Sequence, residues 1–329
     1  MEKRFRKWIG GLILLTLILI MVSIIALSLG PARIPFSNIL RPQGIESIIL
    51  FKIRLPRIIL GFIVGAALAV AGVIFQGMFR NPLVEPYTLG VSGGAALGVS
   101  LSVIAGFRIL PLAGFLGALG AISLVYFIAR RQGHLKISML LLTGVMISFI
   151  ASAIILLIMS LSREHQLHGI LFWIMGSLEE SNPSLIKLVS LIILAGIAIS
   201  FFFTRDLNVL SLGEEEALHL GVNIERTKKT LFILGSLIAG VAVSVSGIIG
   251  FVGLLVPHFM RLFVGPDHRI LLPASCLAGG IFLIASDTIA RTIISPLEIP
   301  VGVITGILGG TLFIYFLTKR TLRLGKQDA

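Results

Sequence analysis

Residues 231–260 run for thirty positions without an Asp, Glu, Lys or Arg. As a single α-helix rising 1.5 Å per residue, such a run is ~45 Å long, and the hydrocarbon core of a bilayer is ~30 Å thick. The run holds SGIIGFVG at its middle and Pro257 near its end. It therefore reads as two membrane passes, the second short, turning at residues 246–253. Composition agrees: 56% of the chain is hydrophobic and 13% charged, with a mean hydropathy of +1.05. Soluble domains run at about 45–50% apolar and about 25% charged. A soluble globular protein and a disordered chain are both excluded.

The other candidate spans are 9–29, 58–79, 87–107, 109–129, 138–160, 184–204, 271–290 and 301–318. The first follows MEKRFRKW and is too long for a signal-peptide core, so it reads as a retained helix with a cytoplasmic N-terminus. The 87–107 segment is rich in Gly and Ser, which mark close packing in membrane helices. The expectation is an all-α polytopic membrane protein of ten transmembrane helices. Both termini are cytoplasmic, and residues 1–329 form a single transmembrane domain.

Basic residues test the split of 231–260. With ten spans, 18 of the 27 Lys and Arg residues fall inside. If 231–260 crossed once, 13 would lie inside and 14 outside. The positive-inside rule favours ten. The net charge of +12 then reflects cytoplasmic loop retention and needs no nucleic-acid partner. A single cysteine, Cys276, permits no intrachain disulfide.

No GxxxxGK[ST] phosphate loop exists; Gly325-Lys326 is followed by Gln327. The chain is thus not expected to hydrolyse ATP itself. HExxH is absent too, and no metal site is expected. The connection 205–230 falls inside and contains LSLGEEEALHLGV. Its acidic triplet suits a helix N-terminus and Gly221 a C-terminal stop. Two short helices on the cytoplasmic face would carry apolar residues that no span uses. They either pack on their own protein or dock a partner.

The outer connection 30–57 concentrates cations at Arg33, Arg41, Lys52, Arg54 and Arg57. These either snorkel to headgroups or meet an acidic external partner. Charge reversal at Arg54 and Arg57 would, on the second reading, weaken docking and leave insertion intact. Asp287 and Arg291 are spaced to form an i,i+4 pair near a helix end. His258 beside Pro257 reads as structural. GVSGG at 90–94 either packs helices or, with Ser92 and His258, imitates an intramembrane serine protease.

Six strings in order match one family over about residues 50–320. They are RLPR (54–57), GAALAVAGVIFQGMFRNPLVEPYTLGVSGGAALG (65–98), WIMGSL (173–178), LSLGEEEALHLGV (210–222), GIIGFVGLLVPHFMRLFVGPDHRILLP (247–273) and EIPVGVITGILGG (298–310). The chain resembles the permease subunits of ABC importers for iron–siderophore complexes, haem and cobalamin.

The resemblance implies ten membrane helices and a partnership with a second permease copy or a close paralogue. It also implies two ABC ATPase subunits, which carry the ATP and Mg²⁺, an extracytoplasmic substrate-binding protein and a prokaryotic cytoplasmic membrane with its lipid. No cofactor sits on this chain. By resemblance, Leu212, Gly213, Glu214, Ala217, Leu218, Leu220 and Gly221 couple to the ATPase. Arg54, Arg57 and Arg291 pair with the binding protein. Ile137 and Ser138 fall in the cytoplasmic gate region, where small polar side chains are usual and Ile137 departs. The cargo implied is a metal chelate, an iron(III)–siderophore first, with cobalamin and haem as alternatives. A secondary transporter would need intramembrane carboxylates, for which Glu85, Asp287 and Glu298 are the candidates.

Overall fold

The computed structural model describes residues 2–32, 34–35, 43–107, 109–131 and 134–324. Arg33, Arg41 and the Gly325-Lys326-Gln327 tail lie outside the described residues. Helix α1 (Glu2–Ser28) presents large apolar side chains to its surroundings along most of its length. Helix α2 (Leu55–Phe79) is the opposite case, buried on nearly every face. A helix that is apolar all round belongs in a core. A helical turn at Ile45–Ile48 and a π-helical segment at Ile49–Arg54 lead into it.

Helices α3 (Val91–Ile104), α4 (Leu110–Ala129) and α5 (Ile137–Leu161) pack on one another. Helix α6 (Glu164–Met175) follows, between the candidate spans 138–160 and 184–204. Next come α7 (Pro183–Phe202) and the two short helices α8 (Thr204–Leu210) and α9 (Glu214–His219). The last four are α10 (Ile224–Ser246), α11 (Val252–Val264), α12 (His268–Thr292) and α13 (Val301–Leu324). Arg130–Arg131 and His134–Leu135 form a two-residue antiparallel pair between α4 and α5. Seven helices are long and apolar enough to cross a membrane, and Val91–Ile104, Val252–Val264 and Val301–Phe316 are shorter apolar helices.

The long charge-free run is broken where its length and composition require. Helix α10 ends at Ser246, and α11 starts at Val252. Gly247 (φ 65°) and Phe251 (φ 68°) bracket the break in left-handed backbone. Non-helical backbone at membrane depth must find polar partners in the protein. Tyr87 supplies two of them. Its Oη donates to the Ile249 carbonyl at 2.8 Å and accepts from the Ile249 N–H at 3.0 Å. The Ser177 N–H caps the Ser246 carbonyl at 2.8 Å.

Helix α2 is the axis on which α7, α10, α11 and α12 pack. Two glycine pairs set the spacing. A Cβ on Gly65 would strike the Gly279 carbonyl of α12, and one on Gly72 would strike the Gly253 carbonyl of α11. Small residues let membrane helices approach backbone to backbone. Gly65→Val should therefore force α2 from α12, at the ~1–3 kcal/mol typical of overpacking. Gly120, with nothing near its Cβ position, should accept Ala without loss. Thermal melting of the two purified variants in detergent checks this. An unchanged Gly65→Val melting temperature would contradict the packing account.

Candidate functional site

Two polar constellations lie at opposite ends of the helices. The first is built on α9. Glu214, Glu215 and Glu216 occupy its first turn, where the helix dipole favours negative charge. Gly213 (φ 146°) precedes the helix and Gly221 (φ 79°) follows it, both in backbone that side chains disfavour. The turn of the helix sorts its apolar residues. Ala217 is 0% exposed, whereas Leu212, Leu218 and Leu220 are 64%, 65% and 62% exposed. Lys228, buried on α10, holds α9 through a 2.6 Å ion pair to Glu214.

Residues far apart in sequence meet here. A cavity of about 550 Å³ is lined by Arg80, Lys136, Ile137, Ser138, Glu214 and Lys228, among others. Glu225 Oε2 accepts the Leu135 N–H at 2.9 Å, tying the segment before α5 to the start of α10. Ile137 and Ser138 thus share a cavity with the α9 residue Glu214. Ile137 is half-buried and Ser138 exposed.

The second constellation gathers the three arginines expected to pair with a binding protein. Arg54, Arg57 and Arg291 are not free surface cations; they are 3%, 7% and 3% exposed. Asp287 sits between two of them. Arg57 Nε donates to its Oδ1 at 2.8 Å, and Arg291 Nε lies 3.0 Å from its Oδ2 in ion-pair contact. Arg57 Nη1 also donates to Glu298 Oε2 at 2.7 Å and lies 3.8 Å from Glu179. Arg54 donates to the carbonyls of Leu27, Ser28 and Ala32, and Arg291 to that of Ala26 at 3.2 Å.

The physical reason is desolvation. A guanidinium entering a helix bundle must bring acceptors for its five N–H groups, and the ends of α1 and α12 provide them. The i,i+4 pair expected at Asp287 and Arg291 is present, and Arg57 completes it. Spacing alone did not pair Arg57 with Asp287 or Glu298, because both lie more than two hundred positions away.

Outside this lock, an open cleft of about 510 Å³ shows Arg57 beside Glu179, Glu180, Glu298, Phe172 and Trp173. Burial raises the Glu179 carboxyl above its usual value, and the nearby Arg57 opposes that shift.

Glu85 is the third candidate carboxylate. It accepts the Phe251 N–H at the start of α11. Ser92 lies in the first turn of α3 and His258 packs edge-on against Phe313. Gly94 meets Gly117 and Ala121 of α4. These contacts fit the helix-packing reading of GVSGG. Among the described residues no three His, Cys, Asp or Glu side chains cluster as a metal site would need.

Comparison with known proteins supplies the remaining observation. The FecCD transport family matches residues 16–319. The chain belongs to the FecCD transport family. The hemin transport system permease protein HmuU of Yersinia pestis is 40% identical over 96% of each chain. The cobalamin import system permease protein BtuC of Halobacterium salinarum is 43% identical over 84% of this chain and 75% of its own length. A solved structure described as an inward-facing conformation of a metal-chelate type ABC transporter superposes with a TM-score of 0.85. It is 34% identical, covering 95% of this chain and 99% of its own. With the family's membership comes the membrane as the setting for the long apolar helices.

Removing Arg57 should leave Asp287 and Glu298 short of a countercharge, at a cost of ~3–5 kcal/mol for a broken buried pair. Arg57→Glu should thus lower the melting temperature strongly. That reverses the expectation that charge reversal leaves the protein intact. A stable Arg57→Glu variant would restore the surface reading.

Proposed function

We propose that this chain is the membrane-spanning permease subunit of an ATP-binding-cassette importer that carries a metal chelate inward across a prokaryotic cytoplasmic membrane. The observation that carries the reading is α9. A six-residue helix and the residues flanking it, on the side where Lys and Arg concentrate, present three exposed leucines. Exposed leucines in water call for a covering partner. An ATPase subunit meeting Leu212, Leu218 and Leu220, with Gly213 and Gly221 setting the helix angle, supplies that cover. Because Glu214 shares a cavity with Ile137 and Ser138, motion of α9 would reach the gate region directly.

On this reading the seven long and three shorter apolar helices make ten crossings, with both termini in the cytoplasm. ATP hydrolysis belongs to the partner ATPases, and a second permease copy completes the pathway. The binding protein docks on the outer face around the cleft of Glu179, Glu298 and Arg57. There an incoming carboxylate would compete with Glu298 for Arg57. The cargo class is a metal chelate, an iron(III)–siderophore first and haem or cobalamin next. This fits spans whose buried carboxylate, Asp287, is already neutralised by arginine. That same pairing removes Asp287 as the loading carboxylate an ion-coupled secondary transporter would need.

Leu218→Asp tests the coupling role. The substitution places a charge where an ATPase cleft would cover it, and desolvating that charge costs several kcal/mol unless it finds a partner. The variant should express and melt like wild type, because Leu218 makes no core contact, yet lose copurifying ATPase and ATP-driven uptake. Full retention of ATPase by a folded Leu218→Asp protein would place the docking surface elsewhere.

A further inference from the structure

We propose that the first turns of α10 carry movement of α9 to the start of α5, with Lys228 and Glu225 as the positioning residues. The inference rests on the ATPase-docking role proposed above for α9 and names the path that leads from it.

Helix α9 is attached to α10 at both ends. Its C-terminal end runs into α10 through residues 220–223, where Gly221 takes φ 79°. With that tether alone, a six-residue helix, ~9 Å long, could swing about the glycine. Lys228 fastens the far end. Its Nζ donates to Glu214 Oε2 at 2.6 Å. The Lys228 side chain is 4% exposed and that of Glu214 41%. A buried ammonium cannot give up its one carboxylate without standing uncompensated, so the contact resists opening. Two attachments make α9 and the first turns of α10 move as one body.

The same face of α10 also holds the segment that leads into α5. Glu225 and Lys228 are three positions apart, so their side chains are neighbours on the helix surface. Glu225 Oε2 accepts the Leu135 N–H at 2.9 Å, two residues before α5 starts at Ile137. The Leu135 side chain is buried, so this segment cannot slide along α10 without uncovering it. Glu225 and Lys228 both line the cavity shared by Ile137, Ser138 and Glu214. That space gives the start of α5 room to shift, and the two side chains of α10 connect its opposite walls.

Stability alone does not call for a charged pair here. An apolar side chain of similar volume in place of a buried ion-pair partner is often neutral. Lys228→Met should therefore fold, with the half-exposed Glu214 left to water.

The test uses the full-length chain assembled with its ATPase subunits. The single cysteine is removed by Cys276→Ala, and Ser138→Cys reports at the start of α5 through its rate of reaction with a water-soluble maleimide. ATP should change that rate. Lys228→Met should keep the ATPase subunits and their hydrolysis yet lose the ATP-dependent change. Lys228→Arg, which still reaches Glu214, should keep it. Glu225→Leu should lose the change as well, and Glu225→Gln, whose amide oxygen still accepts the Leu135 N–H, should keep it. A merely structural role would not separate hydrolysis from the response at position 138. A full ATP response in folded Lys228→Met and Glu225→Leu proteins would overturn the proposal. So would loss of hydrolysis in step with the response, or an ATP-insensitive reporter in a complex that hydrolyses ATP with Lys228 and Glu225 intact. Failure of that complex to assemble at all would instead overturn the docking role of α9, and the path with it.

Discussion

Backbone that leaves the helix inside a membrane must have every N–H and C=O answered by protein, and this chain organises itself around one such place. The five residues between Ser246 and Val252 cannot pair with themselves. Tyr87 answers Ile249, the segment after α6 answers Ser246, and Glu85 answers Phe251. These partners come from two separate parts of the chain, so the break pins the loop before α3 and the segment after α6 to the α10–α11 junction. The short α11 then descends along α2, which Gly72 and Gly253 allow to come within backbone contact.

Charge is distributed by the same constraint. At the outer end, Arg57, Asp287 and Arg291 neutralise one another inside the bundle, and Arg54 and Arg291 cap the end of α1. Buried ion pairs of this kind are weak evidence for stability, because desolvation offsets their attraction. Their clearer effect is geometric: they fix α2 against α12 and against the residues before α13. At the other end, around α9, the acidic side chains stay near the surface and Lys228 is the buried exception, beside leucines that the chain itself does not cover. One end is therefore locked and the other is left open to partners.

How much of this the residues reveal depends on range. The split of 231–260 was legible because length, glycine and proline all act locally. The bounds of α9 were legible for the same reason, from the acidic first turn and from Gly213 and Gly221. Which of Ala217 and Leu218 turns inward was not, because that depends on how α9 is rotated by the Lys228–Glu214 contact. The partners of Arg57 were invisible because they arise from helix packing across most of the chain. Helix α6 was missed because polar residues flank a short apolar run, ILFWIM, that is too brief to read as a span. Tyr87 gave no signal as a lone tyrosine in an apolar stretch. The signal lay in GIIGF, whose non-helical backbone needed a donor and an acceptor close by.

The central claim is that the chain moves a chelate only when an ATPase works on its inner face. Uptake of a labelled metal chelate into proteoliposomes decides it, comparing the permease with and without its ATPase subunits and ATP, under an imposed proton gradient or none. The account predicts uptake only with ATPase and ATP together, unchanged when the gradient is collapsed. Uptake by the permease alone, driven by the gradient, would contradict it.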